Sequence, residues 1–455
     1  MFKTIINALK VKEIRIKILF TFFALIIVRI GCNIHTPGVD SEVFANWLQS
    51  SQLNLGFLDT FTGGSFTQMS IFALNISPYI NAEIIMQLLC IAIPRLEEMQ
   101  KDGEDGRQKI TKISRYLTIV LALIESVAMA ISFGNQQGVN AEGVVKSVLS
   151  GGSSFRSIAL VAISFTAGTA FLMWLGDKIT EKGIGNGISI ILLINIIARL
   201  PQDIMTLITR FVTGASSVIV GIISAVVIAV IILGMVAFII LLQDAERRIP
   251  VQYTKKIVGR KQVGGNSSSI PMKVNTSGVI PVIFAMSVLQ IPIIISSFFG
   301  VRGAREYANV WQKILYMFDQ SNWFHLTPEG EFKYTIGAIL YIAMIIFFAY
   351  FYTAVTFNPV EISNNMKKQG GFIPGIRPGK PTSDYLTGIL NKIIFIGAIG
   401  LSIAAILPIF FTGIFNVSVS FAATSIIIVV GVILETMKQV ESMMAVRHYK
   451  GFLDN

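Results

Sequence analysis

The chain has 455 residues, 53% of them hydrophobic and 14% charged, with a net charge of +11 and a mean hydropathy of +0.68. This balance excludes a soluble globular enzyme, in which about a quarter of the residues would be charged. Apolar runs of about 20 residues, the length that crosses a bilayer, recur from end to end and mark a polytopic membrane protein.

In chain order, spans are expected at residues 16–34, 71–93, 116–133, 158–175, 185–200, 218–242, 276–299, 334–355, 389–411 and 417–434. The second segment of each group of five is interrupted. Residues 56–94 carry Gly63, Gly64, Asn75, Ser77 and Pro78, and residues 274–299 carry Pro281 and Pro292. Irregular backbone at membrane depth survives only where protein or a water-filled cavity satisfies its polar groups, so matching interruptions point to a central pathway between two half-molecules. An odd number of spans per half makes the second set start from the opposite face. Residues 1–210 and 211–455 are therefore expected to be inverted repeats.

Most of the 37 Lys and Arg fall around the start of the first span, in 95–115, 177–183, 243–275 and 357–392, and at the C-terminus, whereas residues 31–94 hold none. The positive-inside rule then puts both termini in the cytoplasm. A strongly basic cytoplasmic face suits anionic lipid and acidic or RNA-bearing partners. The first apolar run follows basic residues but no small-x-small cleavage site follows it, so it is read as an uncleaved span. Cys32 and Cys90 lie in or beside apolar segments and read as packing residues.

No enzyme motif is present. His35, His325 and His448 are isolated, and neither H-E-x-x-H nor G-x-S-x-G occurs. The stretch GFIPGIRPGKPT fails as a phosphate loop because Pro374 stands where glycine is required and Pro381 replaces the magnesium-binding hydroxyl. No cofactor or metal site is expected. Within the spans the main ionisable residues are Arg29, Glu83 and Glu125, fewer than the paired acids of a proton relay. An ion-coupled small-solute transporter stays as the alternative from another class.

Longer motifs run through the chain: RIGCNIHTPGVD, SIFALNISPYINAEIIMQLL, GEDGRQKITKISRY, FLMWLGDKITEKGIGNGISI, ERRIPVQYTKKIVGRK, PMKVNTSGVIPVIF and FNPVEISNNMKKQGGFIPGIRPGKPT. Together they resemble the SecY/Sec61α family of protein-conducting channels over nearly the whole length.

The resemblance implies an all-α fold of ten transmembrane helices around a central pore, in the bacterial plasma membrane, with no catalysis of its own. It implies a plug helix at about 57–72, containing Phe57, Leu58, Phe61, Gly63, Gly64, Phe66 and Met69, where the glycine pair would give hinge freedom. The pore ring carries over to Ile76, Ile80, Ile188, Leu192, Val279, Ile283 and Ile428. Branched aliphatic side chains cannot hydrogen-bond water or ions, so a narrow ring of them dewets. A lateral gate is implied between the second, third, seventh and eighth spans, with Gln87 and Asn275 at polar positions, Asn81, Thr276 and Gln290 adding to them, and Pro78 and Pro281 permitting bends.

The two long basic loops become docking surfaces. The loop 243–275 carries Arg247, Arg248, Lys255, Lys256, Arg260 and Lys261 and has the turn chemistry of a hairpin; the loop 357–392 carries Arg377 and Lys380 around a rigid Pro-Gly turn. The partners the family implies are SecE, SecG, the SecA motor, the ribosome and preproteins bearing signal sequences, in addition to membrane lipid.

Overall fold

The computed structural model describes residues 2–50, 62–134, 136–139, 144–214, 217–253, 256–258, 261–263, 267–298, 309–318, 324–326, 332–334, 337–415 and 423–453. Most of these are helical. The helices are α1 (Phe2–Lys10), α2 (Lys12–Cys32), α3 (Ser41–Ser50), α4 (Ser77–Ala92), α5 (Pro94–Lys101), α6 (Glu104–Gly134), α7 (Phe155–Lys182), α8 (Gly187–Leu207), α9 (Val218–Asp244), α10 (Ile280–Phe298), α11 (Val310–Phe318), α12 (Gly337–Thr356), α13 (Pro359–Lys368), α14 (Lys380–Phe415) and α15 (Ala423–Leu453). Among the described residues, six helical stretches are long and apolar enough to cross a membrane, and the bent pair α4 and α5 is a seventh candidate.

The two interrupted segments become helices shorter than the sequence pattern predicts. The segment expected at 71–93 turns helical only at Ser77, and that expected at 276–299 only at Ile280. The cause is local. Asn75 has φ +52° and Gly278 φ +65°, left-handed values that a right-handed helix cannot contain. Pro78 and Pro281 then sit in the first turn of α4 and α10. There the missing N–H would have had no intrahelical partner in any case, so these prolines start helices and do not bend them. That corrects the bending expected from sequence; the proline inside α10 is Pro292. At the far end of α4, Ile93 is pushed to φ −112°, ψ 110° by the following Pro94, and the chain turns by 101° into α5.

The chain forms two compact units. One comprises Met1–Ala225, Ile291–Leu315 and Val417–Asn455, the other Val226–Gln290 and Tyr316–Asn416. In the first, α6 pairs with α7 and carries α4, α8 packs on α7, and α15 packs on α8 and α1. One aromatic core in it joins Phe44 and Trp47 of α3 to Phe66, Phe133 and Phe165.

In the second unit α14 carries α12 and α13. The described strands are β1 (Gln137–Val139), β2 (Val145–Ser147), β3 (Glu246–Tyr253), β4 (Lys256–Val258), β5 (Lys261–Val263), β6 (Ser267–Lys273), β7 (Phe324–Leu326), β8 (Phe332–Tyr334) and β9 (Gly371–Phe372). Helix α14 also supports a three-stranded antiparallel sheet ordered β6, β3 and β9, which an all-α reading omits. Alternate residues of β3, Ile249 and Val251, are buried with Met272, Met366, Ile373, Leu386 and Ile389. The period of two thus seats the sheet on the helices by one face.

Candidate functional site

Residues 63–76, which lead from the expected plug into α4, run through consecutive turns. Their backbone is tied to the end of α2 and to the chain just after it: Thr36 N donates to Met69 O at 3.0 Å and Ile71 N to Ile34 O at 3.0 Å. Phe66 and Met69 are buried, Phe66 lying edge-on to Phe44 with ring centroids 5.7 Å apart. Gly63 has φ +64°; its carbonyl accepts from Arg29 Nη1 at 3.2 Å, and a Cβ there would lie 2.9 Å from Asn195 Cα. The glycine is a close-approach point, and the hinge freedom expected at Gly63 is not what the backbone shows. Asn195 Nδ2 donates to Asn75 Oδ1 at 3.2 Å, with both side chains buried. Phe57, Leu58 and Phe61 lie outside the described residues.

Ile76 follows Asn75 directly and is the residue from which α4 springs; it is 1% exposed, while Ile80 is half-buried one turn on. On α8, Ile188 rests against Gly176 of α7 and Leu192 is buried. The start of α8 is fixed by Asn186, whose side chain accepts from Ile188 N and Ser189 N. Gly185 N donates to Gln439 Oε1 of α15 at 2.6 Å, and Ile428 is buried on the same helix. The Asn75–Asn195 bond and this α8–α15 contact bring the segments bearing four of the first-unit ring candidates, Ile76, Leu192, Ile188 and Ile428, around α8. Val279 and Ile283, in the second unit, are half-buried at the start of α10.

The polar residues expected at a lateral gate divide into partnered and unpartnered groups. Asn81 Nδ2 donates to Glu125 Oε1 at 3.2 Å, joining α4 to α6, so Glu125 serves a polar neighbour. Among the described residues, Gln87 Oε1 is buried without a hydrogen-bond partner, and so are both amide atoms of Asn275, which is 5% exposed. Buried amides are normally satisfied, so each of these orphans is a departure that needs a reason.

The two basic loops are one body. The hairpin expected in 243–275 forms, with Arg248 opposite Pro271 and Glu246 opposite Lys273, and Gln252 of β3 pairs with Phe372 from the other loop. Lys256 and Lys261 fall on a small inner hairpin, β4 (Lys256–Val258) and β5 (Lys261–Val263); Lys255 and Arg260 lie outside the described residues. Arg248 is engaged within its own strand, with Nη2 2.6 Å from Glu246 Oε1. Arg247, Arg377 and Lys380 are exposed and make no ion pair among the described residues. Lys273, Lys367 and Lys368 are likewise exposed, so this body presents a basic surface to which Arg247, Arg377 and Lys380 contribute.

The match to a family model for SecY covers residues 70–437. Proteins named "Protein translocase subunit SecY" are similar along the full length: that of Bacillus licheniformis is 43% identical over 458 residues and that of Bacillus subtilis 42% over 459, each alignment covering 100% of both chains. The chain belongs to the SecY family. Among solved structures, a protein-conducting channel superposes with a TM-score of 0.63 at 18% identity, covering 94% of this chain and 92% of the other. The Sec61 channel of a canine ribosome–channel complex from the endoplasmic reticulum gives a TM-score of 0.62 at 17% identity, with the same coverage. This likeness shows the shared SecY/Sec61 fold.

Sequence reasoning missed three features of this chain that the geometry reveals. These are the Arg29 contact to Gly63, the pairing of Asn75 with Asn195, and the joining of the two basic loops through β9. An Asn in the middle of an apolar helix, as at Asn195, was the available signal.

Proposed function

We propose that this chain is the channel subunit of a bacterial protein translocase. It passes unfolded secretory polypeptides across the plasma membrane and releases transmembrane segments sideways into it. Full-length similarity to proteins named as translocase subunits supports this reading, as does the fold shared with protein-conducting channels. The chain is a conduit and not an enzyme. The observation that carries the mechanism is the turned stretch 63–76, tied to α2 and α8 and leading straight into α4.

In detail, ten spans in inverted halves, 1–210 and 211–455, surround the pore, with both termini cytoplasmic. A plug at 57–72 closes the outer side, and the aliphatic ring of Ile76, Ile80, Ile188, Leu192, Val279, Ile283 and Ile428 seals around the passing chain. Gln87 and Asn275 line a seam whose polar contacts, about 0.6–2 kcal/mol each, are weak enough to part. The unpartnered Gln87 Oε1 and Asn275 amide fit groups that find their partners only when a substrate segment is present. SecE and SecG accompany the channel in the membrane. Arg247, Arg377 and Lys380 receive SecA or the ribosome, and solved relatives described as ribosome–channel complexes support the latter.

Two measurements test the reading. Ile80→Asn or Ile283→Asn puts hydrogen-bonding groups in the ring, so reconstituted channels conduct small ions at rest; unchanged resting conductance in both variants rejects the ring. Arg377→Glu removes a charge-assisted contact and adds repulsion, so SecA and ribosome binding weaken by about tenfold or more in a salt-dependent way. Lys313→Glu, on a segment assigned to the opposite side of the membrane, leaves both unchanged.

A further inference from the structure

The tip that presents Arg377 is held by two buried hydroxyls. The chain leaves β9 at Phe372, buries Ile373, and turns through a bond from Ile376 N to Ile373 O at 3.0 Å. Arg377 then projects with its side chain exposed, followed by Pro378 and by Gly379 at φ +102°. Its own carbonyl accepts from Thr382 Oγ1 at 2.8 Å. Two residues on, the Gly379 carbonyl accepts from Ser363 Oγ at 2.8 Å and from the backbone N–H groups of Thr382 and Ser383 at 3.0 and 3.1 Å. Thr382 and Ser363 are each 2% exposed.

These hydroxyls come from two helices. Ser363 belongs to α13, whose start is capped by Asn358 through Val360 N and Glu361 N, and Thr382 belongs to the first turn of α14. Both helices pack into the apolar cluster beneath the sheet. The backbone on either side of the Arg377 guanidinium is therefore pinned to the rigid body, while the guanidinium makes no ion pair among the described residues.

We infer that Ser363 and Thr382 are positioning residues that pre-organise the Arg377 tip for a partner presenting a phosphate-rich surface, the RNA of a ribosome. The inference rests on the docking role proposed for Arg377. A long, flexible cation binds phosphate well only if little freedom is lost on docking, and a fixed backbone removes one source of that loss beforehand. Both hydroxyls act through Arg377 and touch no partner themselves.

The test is a double-mutant cycle on the full-length channel complex in phosphatidylcholine vesicles, read as equilibrium binding of purified bacterial ribosomes across a salt series. Arg377→Ala is expected to weaken binding and to lower the salt dependence, because one cation leaves the phosphate contact. Thr382→Val and Ser363→Ala, each deleting one hydrogen bond, are expected to weaken binding by about two- to tenfold. Thr382→Ser, which keeps the hydroxyl, binds as the parent does. In the Arg377→Ala background, Thr382→Val and Ser363→Ala cause no further loss.

If Arg377→Ala binds ribosomes normally, the docking role itself is overturned. If Arg377→Ala is weak but the hydroxyl variants bind normally, or their losses add in full to it, docking stands and the positioning inference is overturned. Should Thr382→Val fail to fold, Ser363→Ala carries the same comparison from the other helix.

Discussion

The stretches that lead into α4 and α10 have the same local design and opposite surroundings. Each runs through turns, uses a left-handed residue to leave the helical region, and starts its helix with a proline in the first turn. Before α4, the turns are bonded to the residues after α2, the backbone at Gly63 presses on α8, and Asn75 is paired with Asn195. Before α10, Asn275 is buried with neither amide atom partnered among the described residues, and a Cβ at Gly278 would meet nothing within 4 Å. The same backbone device is thus locked by a buried side-chain pair and a helix contact in one place, and in the other is held through its backbone, Val274 N donating to Ala245 O and Val274 O lying against Gly397 of α14.

The largest expected effect comes from the two left-handed glycines, which differ only in what surrounds them. Gly63→Ala at φ +64° meets Arg29 Nη1, Asn195 Cα and Asn195 O, each 2.9 Å from the new Cβ, and Asn195 Cα and O belong to the backbone of a packed helix. Gly278→Ala at φ +65° faces open space. The second costs only the left-handed conformation, about 1–2 kcal/mol, whereas the first adds displacement of α8 or of the turn to the same penalty. Thermal unfolding of the purified variants should therefore show a clearly larger fall for Gly63→Ala. Equal falls would mean that the contact between Gly63 and α8 is not part of the folded core.

A smaller effect is expected from the asparagine pair. Asn195→Leu keeps roughly the same volume but deletes the buried bond from Asn195 to Asn75, which costs about 1–3 kcal/mol. The loss should appear as a lower unfolding midpoint, accompanied by resting ion leakage if this bond helps to hold the closed state. Asn75→Leu in the same background should cost less than it does alone, because the bond between the two side chains has already been lost.

Sequence reading located both stretches without describing either. Proline, glycine and asparagine inside apolar runs are local signals, so the interruptions at 56–94 and 274–299 were visible, as was the hairpin in 243–275. The partners of those residues were not. Asn75 and Asn195 are 120 residues apart, and nothing in either neighbourhood names the other. Gly63 was read as freedom because sequence shows a missing side chain and not the helix that fills its place. The strand β9 is two residues long and pairs with a strand more than a hundred positions earlier, below any periodicity that a sequence carries. The site candidates divide in the same way: residue types suited to a ring, a seam and a docking face could be listed by resemblance, but the engagement of Arg248 by Glu246 and the bareness of Asn275 needed coordinates.

The smallest expected effect on stability is at Asn275, and its sign is the informative part. A buried amide with no partner carries its desolvation cost without compensation, so replacing it by an apolar residue of similar size removes a penalty and breaks no bond. The local backbone does not depend on the side chain: Val274 N donates to Ala245 O at 2.8 Å, and Thr276 Oγ1 donates to Lys273 O at 2.7 Å. Asn275→Leu should therefore leave the unfolding midpoint unchanged or raise it slightly, the reverse of Asn195→Leu. If the amide is kept because it gains a partner when the seam opens, the stabilised variant should also release transmembrane segments into lipid more slowly. A lower midpoint for Asn275→Leu would show that the amide is satisfied in the folded chain, and the contrast between the two stretches would then rest on the glycines alone.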